Sequence, residues 1–243
     1  MRAVAIIPAR YAATRLPGKP LLRESGKYLV QHVWEAASAA RGLSEVLIAT
    51  DDSRIADAAR SFGARAVLTR ADHATGTDRI HEAARALDPS PDVVVNVQGD
   101  EPRLDPAEIE EVLRLLEERP EADMATLAVD AGPEAGPNPS RVKVVVDASG
   151  MALYFSRSPI PHYRDCPAPG YLVHVGIYGY RARALSRFVS LPPSPLEKAE
   201  RLEQLRALEA GMRIAVGRAL RMPLSVDTPD DYKAFLDSLR ARR

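Results

Sequence analysis

Residues 92–102 read Asp-Val-Val-Val-Asn-Val-Gln-Gly-Asp-Glu-Pro. Val93, Val94 and Val95 follow one another without a polar break, and Val97 continues the run after Asn96, as expected of a central parallel strand covered on both faces. A strand with one solvated face would alternate instead. The helix that follows carries its own start signal: Asp105 serves as N-cap, Pro106 takes the first helical position and Glu108 completes a capping-box pattern. Ile109, Val112, Leu113 and Leu116 then supply its core stripe. On either side lie further short, β-branched runs at 4–8, 46–50, 66–68 and 124–129, separated by longer helical patterns. Such alternation predicts an α/β, Rossmann-like architecture with a mostly parallel central sheet.

Beyond 130 the texture changes. Residues 132–140, Gly-Pro-Glu-Ala-Gly-Pro-Asn-Pro-Ser, form a loop by composition, and 141–146, a turn at 147–150 and 152–155 then read as a β-hairpin. A Pro/Gly break at 166–170 precedes a strand at 172–180. Ser194-Pro195-Leu196-Glu197 is a second capping signal, opening a helix expected to reach about 210, and Thr228-Pro229 starts the last one. No repeat, low-complexity segment or long polar linker divides the chain, so 1–243 reads as a single domain with halves of approximately 1–130 and 131–243.

Composition bounds the function. The 243 residues carry 33 Lys and Arg against 33 Asp and Glu, a formal net charge of zero, and are 46% hydrophobic. That content supports a core, and the balance argues against an extended nucleic-acid binder or a binder of acidic membranes. A lone cysteine, Cys166, cannot form an intramolecular disulfide, which suits a reducing compartment. Without a signal-peptide core behind Met1 or any run of membrane-spanning length, the expectation is a soluble cytoplasmic protein.

The loop after the first strand, PARYAATRLPGKPL at 8–21, holds Arg10, Arg15 and Lys19. Ligands of open α/β sheets bind beyond the carboxyl ends of the strands, so these cations are placed to meet a nucleotide triphosphate. The arginines would do so by forked hydrogen bonds and the lysine as a compact charge. A solvated basic loop is the plainer reading of such a run; the strand-end position and the Pro/Gly punctuation favour the anion. The loop is not a Walker A loop. Asp100, just past the central strand, and Asp227, just before the last helix, either hold a cation or serve locally, Asp100 shaping a turn with Gly99 and Asp227 supporting a helix dipole. Thr77 has the position of an N-cap for the helix containing Ile80, and Gln98 shares a face with Asn96 if the strand stays regular.

Along 172–180, His174, Gly176, Tyr178 and Tyr180 fall on one face and Val173, Val175 and Ile177 on the other. In the helix from Ser194, Leu202, Leu205 and Leu208 make a core stripe. Arg206 projects within it and is either paired structurally or directed at a ligand, while Glu203 flanks it and Gln204 points away. Trp34 reads as core in the first helix; Cys166 and His73 have no assigned role.

The blocks PARYAATRLPGKPL, TRADHATGTDRI at 69–80, VNVQGDEP at 95–102, ALYFSRSPIP at 152–161, HVGIYGYR at 174–181, SPLEKAERLEQLRAL at 194–208 and VDTPDD at 226–231 span nearly the whole chain. In that order and combination the sequence resembles the 3-deoxy-manno-octulosonate cytidylyltransferase (CMP-Kdo synthetase) family. The resemblance implies a nucleotidyltransferase fold that joins CTP and the sugar acid Kdo, releasing pyrophosphate, for lipopolysaccharide biosynthesis. It further implies Mg²⁺ held by Asp100 and Asp227, catalysis by these two with Arg15 and Lys19, and CTP contacts from Arg10, Arg15, Lys19, Thr75, Gly76 and Gln98. Arg157, His174, Tyr178, Glu203 and Gln204 become acceptor contacts. The first half is then CTP-binding; the second binds the acceptor and carries the hairpin as a dimerisation region of a homodimer. Two departures stand out: 162–171 is shorter than the insertion relatives often carry, and Ser225 replaces a glycine that often precedes the VDTP block. The alternatives are an 8-amino Kdo analogue as acceptor, or a non-catalytic nucleotide-binding subunit, which retention of Arg15, Lys19, Asp100 and Asp227 together opposes.

Overall fold

The computed structural model describes residues 1–12 and 16–241. In chain order its elements are β1 (Ala3–Ala9), α1 (Leu29–Ser38), β2 (Leu43–Thr50), α2 (Ser53–Ser61), β3 (Arg65–Leu68), α3 (Gly76–Arg85), β4 (Val93–Asn96), α4 (Pro106–Glu118), β5 (Met124–Ala131), β6 (Lys143–Val146), β7 (Ala152–Ser156), β8 (Tyr171–Arg181), α5 (Ala182–Ser190), α6 (Pro195–Glu200), α7 (Gln204–Glu209), β9 (Ile214–Arg218) and α8 (Pro229–Arg240). They form two compact units, one of Met1–Glu110 with Pro223–Arg243 and one of Glu111–Met222. The chain therefore divides nearer 110 than 130, and its last segment belongs with its first. Among the described residues no helix is long and apolar enough to cross a membrane.

The first unit is built on parallel pairing. β1 lies between β2 and β4, and β3 pairs with the far edge of β2. Consecutive residues of β1 and β4 are buried, from Val4 through Ile7 and from Val93 through Val95, so both faces of these strands are covered, as their unbroken apolar runs require. α8 is anchored here: Tyr232 and Phe235 pack with Leu29 and Val226, and Leu22 and Leu224 close around them. Burying a side chain such as Phe235 is worth about 1.5–3 kcal/mol, enough to hold the segment that carries Asp227. β4 ends one residue earlier than expected, at Asn96, although the Val97 amide still donates to the Ile6 carbonyl at 3.1 Å.

In the second unit β5 pairs antiparallel with β8 and parallel with β9. β6 and β7 form the expected hairpin, its turn closed by Asp147 Oδ1, which accepts from the amides of Ser149 and Met151. The helix expected from Ser194 to about 210 is in fact two. α6 stops at Arg201, a left-handed residue with φ 53°, and α7 starts at Gln204. The carbonyls of Glu200 and Arg201, acceptors in an unbroken helix, instead accept from Arg157 Nε at 2.7 Å and Nη2 at 3.3 Å. This break resets the helical phase, so Gln204, projected away from the core, is buried.

Candidate active site

At the carboxyl end of β1 the chain turns through Arg10 and Tyr11 and re-emerges at Leu16; Arg15 lies outside the described residues. Gly18 adopts φ 70°, accessible without strain only to glycine, and its amide donates to the Tyr11 carbonyl at 2.9 Å. That closure aims the next residue. Lys19 opens a short 3-10 turn and its Nζ donates to Asp100 Oδ2 at 2.8 Å and to Asp227 Oδ1 at 3.2 Å. Residues 81 and 208 positions away in sequence thus meet one ammonium.

Both carboxylates are placed by backbone. The turn carrying Asp100 is formed by the Glu101 amide donating to the Gln98 carbonyl at 3.3 Å, and Gly99 lies so close to β1 that a Cβ there would sit 2.8 Å from the Pro8 carbonyl oxygen. Asp227 is tied in from the other side, because the Val226 amide donates to the Asp100 carbonyl at 2.8 Å. The cap of α8 is made by Thr228 and Asp231, whose Oδ2 accepts the amides of both Asp227 and Thr228. The Asp227 side chain meets Lys19.

Glu101, which sequence reading passed over, is buried behind this pair. Desolvation first, then the negative charges of Asp100, Glu108 and Asp227, push its carboxyl up to about 8, against a hydrogen bond from Ser225 Oγ at 3.5 Å. The serine that departs from the family pattern thus supplies a partner to that carboxyl.

The candidate base and ribose contacts lie at the start of α3. Thr75, not Thr77, is the N-cap: its Oγ1 accepts from the Asp78 amide at 3.2 Å while Asp78 Oδ2 accepts from the Thr75 amide. Gly76 begins the helix, so the motif Thr-x-x-Asp starts two residues earlier than a cap at Thr77 required, and Thr77 is buried. Arg10 Nη2 donates to the His73 carbonyl at 2.8 Å, and the His73 ring is bound by Glu82, giving both residues a place in bracing the loop. Gln98 is half-buried just past β4, next to the turn that carries Asp100. Trp34 is only half-buried, its Nε1 donating to the Val46 carbonyl at 3.1 Å and its ring 5.6 Å from Phe62.

The second unit gathers the candidate acceptor residues. The register between β5 and β8 shifts at Thr126/Leu127, where Thr126 lies opposite Tyr178 but Leu127 opposite Val175. The shift passes over two residues of β8, which preserves the alternation, so His174 and Tyr178 keep a common face with ring centroids 5.2 Å apart. Burial depresses the His174 imidazole to about 3 and raises the Tyr178 phenol. The Tyr178 hydroxyl and Gln204 Nε2 are buried without a hydrogen-bond partner among the described residues. Glu203 lies just before α7, near enough for its charge to act on Tyr178.

Two of the cations are committed inside the protein. Arg157 uses Nε, Nη1 and Nη2 on the carbonyls of Glu200, Pro139 and Arg201, while Glu200 accepts from the Arg157 amide and Ser156 Oγ. Two of its five N–H donors remain for a carboxylate. Arg206 takes the structural alternative: it forks onto Glu197, Nε to Oε2 at 2.7 Å and Nη2 to Oε1 at 2.5 Å, and lies 4.9 Å from the Phe188 ring centre. Lys143, fully buried and unnoticed in the sequence, donates to the carbonyls of Asn138 at 3.0 Å and Arg157 at 2.5 Å. A lysine inside an apolar run, Val142-Lys143-Val144-Val145-Val146, was the available signal.

A family model for cytidylyltransferases matches residues 4–214. The chain is 48% identical over 252 residues to a 3-deoxy-manno-octulosonate cytidylyltransferase of Geobacter sulfurreducens, covering 99% of this chain and 100% of that one. It is 52% identical over 243 residues to one from Anaeromyxobacter sp. (99% and 97% covered) and 45% over 240 residues to one from Escherichia coli (99% and 95%). Among solved structures, a CMP:2-keto-3-deoxy-manno-octonic acid synthetase complexed with CTP matches with a TM-score of 0.95 at 42% identity, both chains covered at 100%. A cytidylyltransferase from Leptospira borgpetersenii, at TM-score 0.64 and 16% identity, shares the fold.

Proposed function

The chain belongs to the 3-deoxy-manno-octulosonate cytidylyltransferases, and from that premise we propose that it activates Kdo with CTP, giving CMP-Kdo and pyrophosphate for lipopolysaccharide biosynthesis. The convergence of Asp100 and Asp227 on Lys19 carries the assignment of residues. Two carboxylates that already share one cation, each partly open to solvent, offer the hard oxygens that suit Mg²⁺, which keeps waters and phosphate oxygens as its remaining ligands. Bound by Asp100 and Asp227, the ion would supply charge neutralisation at the transferring phosphoryl group.

The protein's own part is to hold nucleophile, phosphorus and leaving oxygen in line while offsetting charge on two anionic substrates. Lys19 brings a point charge and Arg10 a braced fork to the triphosphate, with Arg15 a third cation of the same loop. Thr75, Gly76 and Gln98 would contact the base and ribose; because the Thr75 side chain and amide are both engaged with Asp78, its contribution falls to its carbonyl. On the acceptor side, His174, Tyr178, Glu203, Gln204 and the two remaining donors of Arg157 face the sugar acid. The unpaired Tyr178 hydroxyl and Gln204 amide support this, since buried polar groups without partners cost stability unless a ligand completes them. We read the protein as a cytoplasmic homodimer. We assign the dimerisation surface to the region of the β6–β7 hairpin.

The test is pyrophosphate release from CTP with Kdo and Mg²⁺, beside UTP, ATP, GTP and the 8-amino analogue as controls. Asp100→Asn and Asp227→Asn should each lower turnover by roughly a hundredfold or more with unchanged circular dichroism. Near wild-type turnover of either variant at saturating Mg²⁺ would remove that residue from the metal site, and release only with another acceptor would overturn the choice of Kdo.

A further inference from the structure

Thr126 stands opposite the irregular part of β8. Its Oγ1 lies 2.7 Å from the Ile177 carbonyl, 3.1 Å from the Val175 carbonyl and 3.0 Å from His174 Nε2. A threonine hydroxyl has one proton and two lone pairs, and a carbonyl can only accept. The register shift brings one of these carbonyls here, because Ile177 is passed over in the pairing with β5, while Val175 keeps its place opposite Leu127. The 2.7 Å contact is the ideal length for an O–H donor, so the proton goes to Ile177. None is then left for His174, and the 3.0 Å contact is a hydrogen bond only if Nε2 carries the hydrogen. Burial keeps the imidazole neutral, so Nδ1 is bare. The ring is held in this pose by Phe155, edge-on at 5.2 Å, and by Tyr178 at 5.2 Å. Nδ1 makes no other hydrogen bond among the described residues.

We propose that Thr126 is a positioning residue for the acceptor step: its hydroxyl fixes His174 as the Nε2–H tautomer and so presents Nδ1 as a hydrogen-bond acceptor to a hydroxyl of the sugar acid. This rests on His174 contacting the acceptor. The assignment carries specificity, because a bare ring nitrogen takes an O–H but repels a carboxylate; the acid end of the sugar must then be bound by other groups. Thr126 touches neither substrate in this scheme and acts through the ring.

Long-range ¹H–¹⁵N correlation spectra of histidine-labelled protein at neutral pH read the tautomer directly, with His174→Phe assigning the signal. The expected spectrum shows a pyrrole-type Nε2 and a pyridine-type Nδ1 for His174, a preference lost in Thr126→Val and kept in Thr126→Ser. Steady-state kinetics should show the KM for Kdo rising about tenfold in Thr126→Val, the loss of one well-placed hydrogen bond, with the KM for CTP unchanged and Thr126→Ser restoring the wild-type value. A wild-type ring protonated on Nδ1 overturns the proposal, and needs no variant to fold. If the tautomer is as expected but neither His174→Ala nor Thr126→Val moves the KM for Kdo, the reading of His174 as an acceptor contact has failed and takes the proposal with it. If His174→Ala moves it and a folded Thr126→Val does not, the positioning role alone is refuted.

Discussion

Replacing Arg206 by methionine separates a structural from a ligand-directed arginine. The side chains of Arg206 and Glu197 are 8% and 11% exposed, and their two hydrogen bonds of 2.7 and 2.5 Å are both charge-assisted. Removing one partner of such a pair leaves the other charge buried and uncompensated, at about 3–5 kcal/mol. For a chain of this size each kcal/mol moves the melting temperature by about 2–4 °C, so Arg206→Met should melt roughly 6–20 °C lower. Glu197 also closes the cap of α6, its Oε2 accepting the Ser194 amide at 3.1 Å. Glutamine can keep that bond without the charge, so the double variant Glu197→Gln with Arg206→Met should recover most of the loss. The pair is pH-sensitive in a defined sense. Arg206, through its hydrogen bonds, holds the Glu197 carboxyl below its ordinary value, so its stabilisation is complete above about 4.3, the unfolded carboxylate value. It is lost as pH falls through the lower folded value. Urea and thermal denaturation of the wild type, Arg206→Met and the double variant, with the KM for Kdo in parallel, decide the matter. A loss under about 1 kcal/mol in Arg206→Met, or an intact fold with a raised KM for Kdo, would refute the structural reading.

Gly99→Ala places a Cβ 2.8 Å from the Pro8 carbonyl, against backbone that cannot swing away, and should lower stability by about 1–3 kcal/mol while displacing Asp100; urea midpoints and turnover both report it, and an unaffected variant would contradict the close approach. Thr75→Ala should cost about 1 kcal/mol and Thr75→Ser little, so a neutral alanine variant in denaturant melts would return the cap to another residue. For His174, the folded pKa near 3 against about 6.5 unfolded means the unfolded state binds the extra proton between those values. Stability then rises with pH across that window, and His174→Phe should lose less on acidification than the wild type; an equal acid slope would show the ring to be freely solvated.

Elements with a repeating or terminal signal were readable from sequence. The strands at 4–8 and 93–97, the start at Pro106 and the hairpin after 141 are all present, displaced by a residue or two. Isolated apolar runs were less so: α5 and β9 have neither a capping motif nor a long β-branched stretch, and went unread. The break at Arg201 is invisible locally because a side chain 44 positions away takes the carbonyls that a helix would use. Likewise Thr75 and Thr77 offer the same chemistry to a helix start, and the choice is made by Asp78, which serves only the former. Residue type and strand-end position nominated Lys19, Asp100 and Asp227, yet nothing in the sequence distances shows that they meet. Glu101 and Lys143 escaped because a charged residue beside a candidate site carboxylate, or within a strand, reads as solvated until burial is known.

The division of the chain has a consequence for its making. Asp227 reaches Asp100 and Lys19 on a segment that begins at Pro223, which follows the whole of the second unit in chain order. During synthesis from the amino terminus, the first 110 residues leave the ribosome with one of the two carboxylates and wait, at about 5–20 residues per second, until the remainder arrives. The nascent first unit therefore carries the lysine and only half of its counter-charge, and a chain stopped short of Asp227 lacks one of the two carboxylates that meet Lys19.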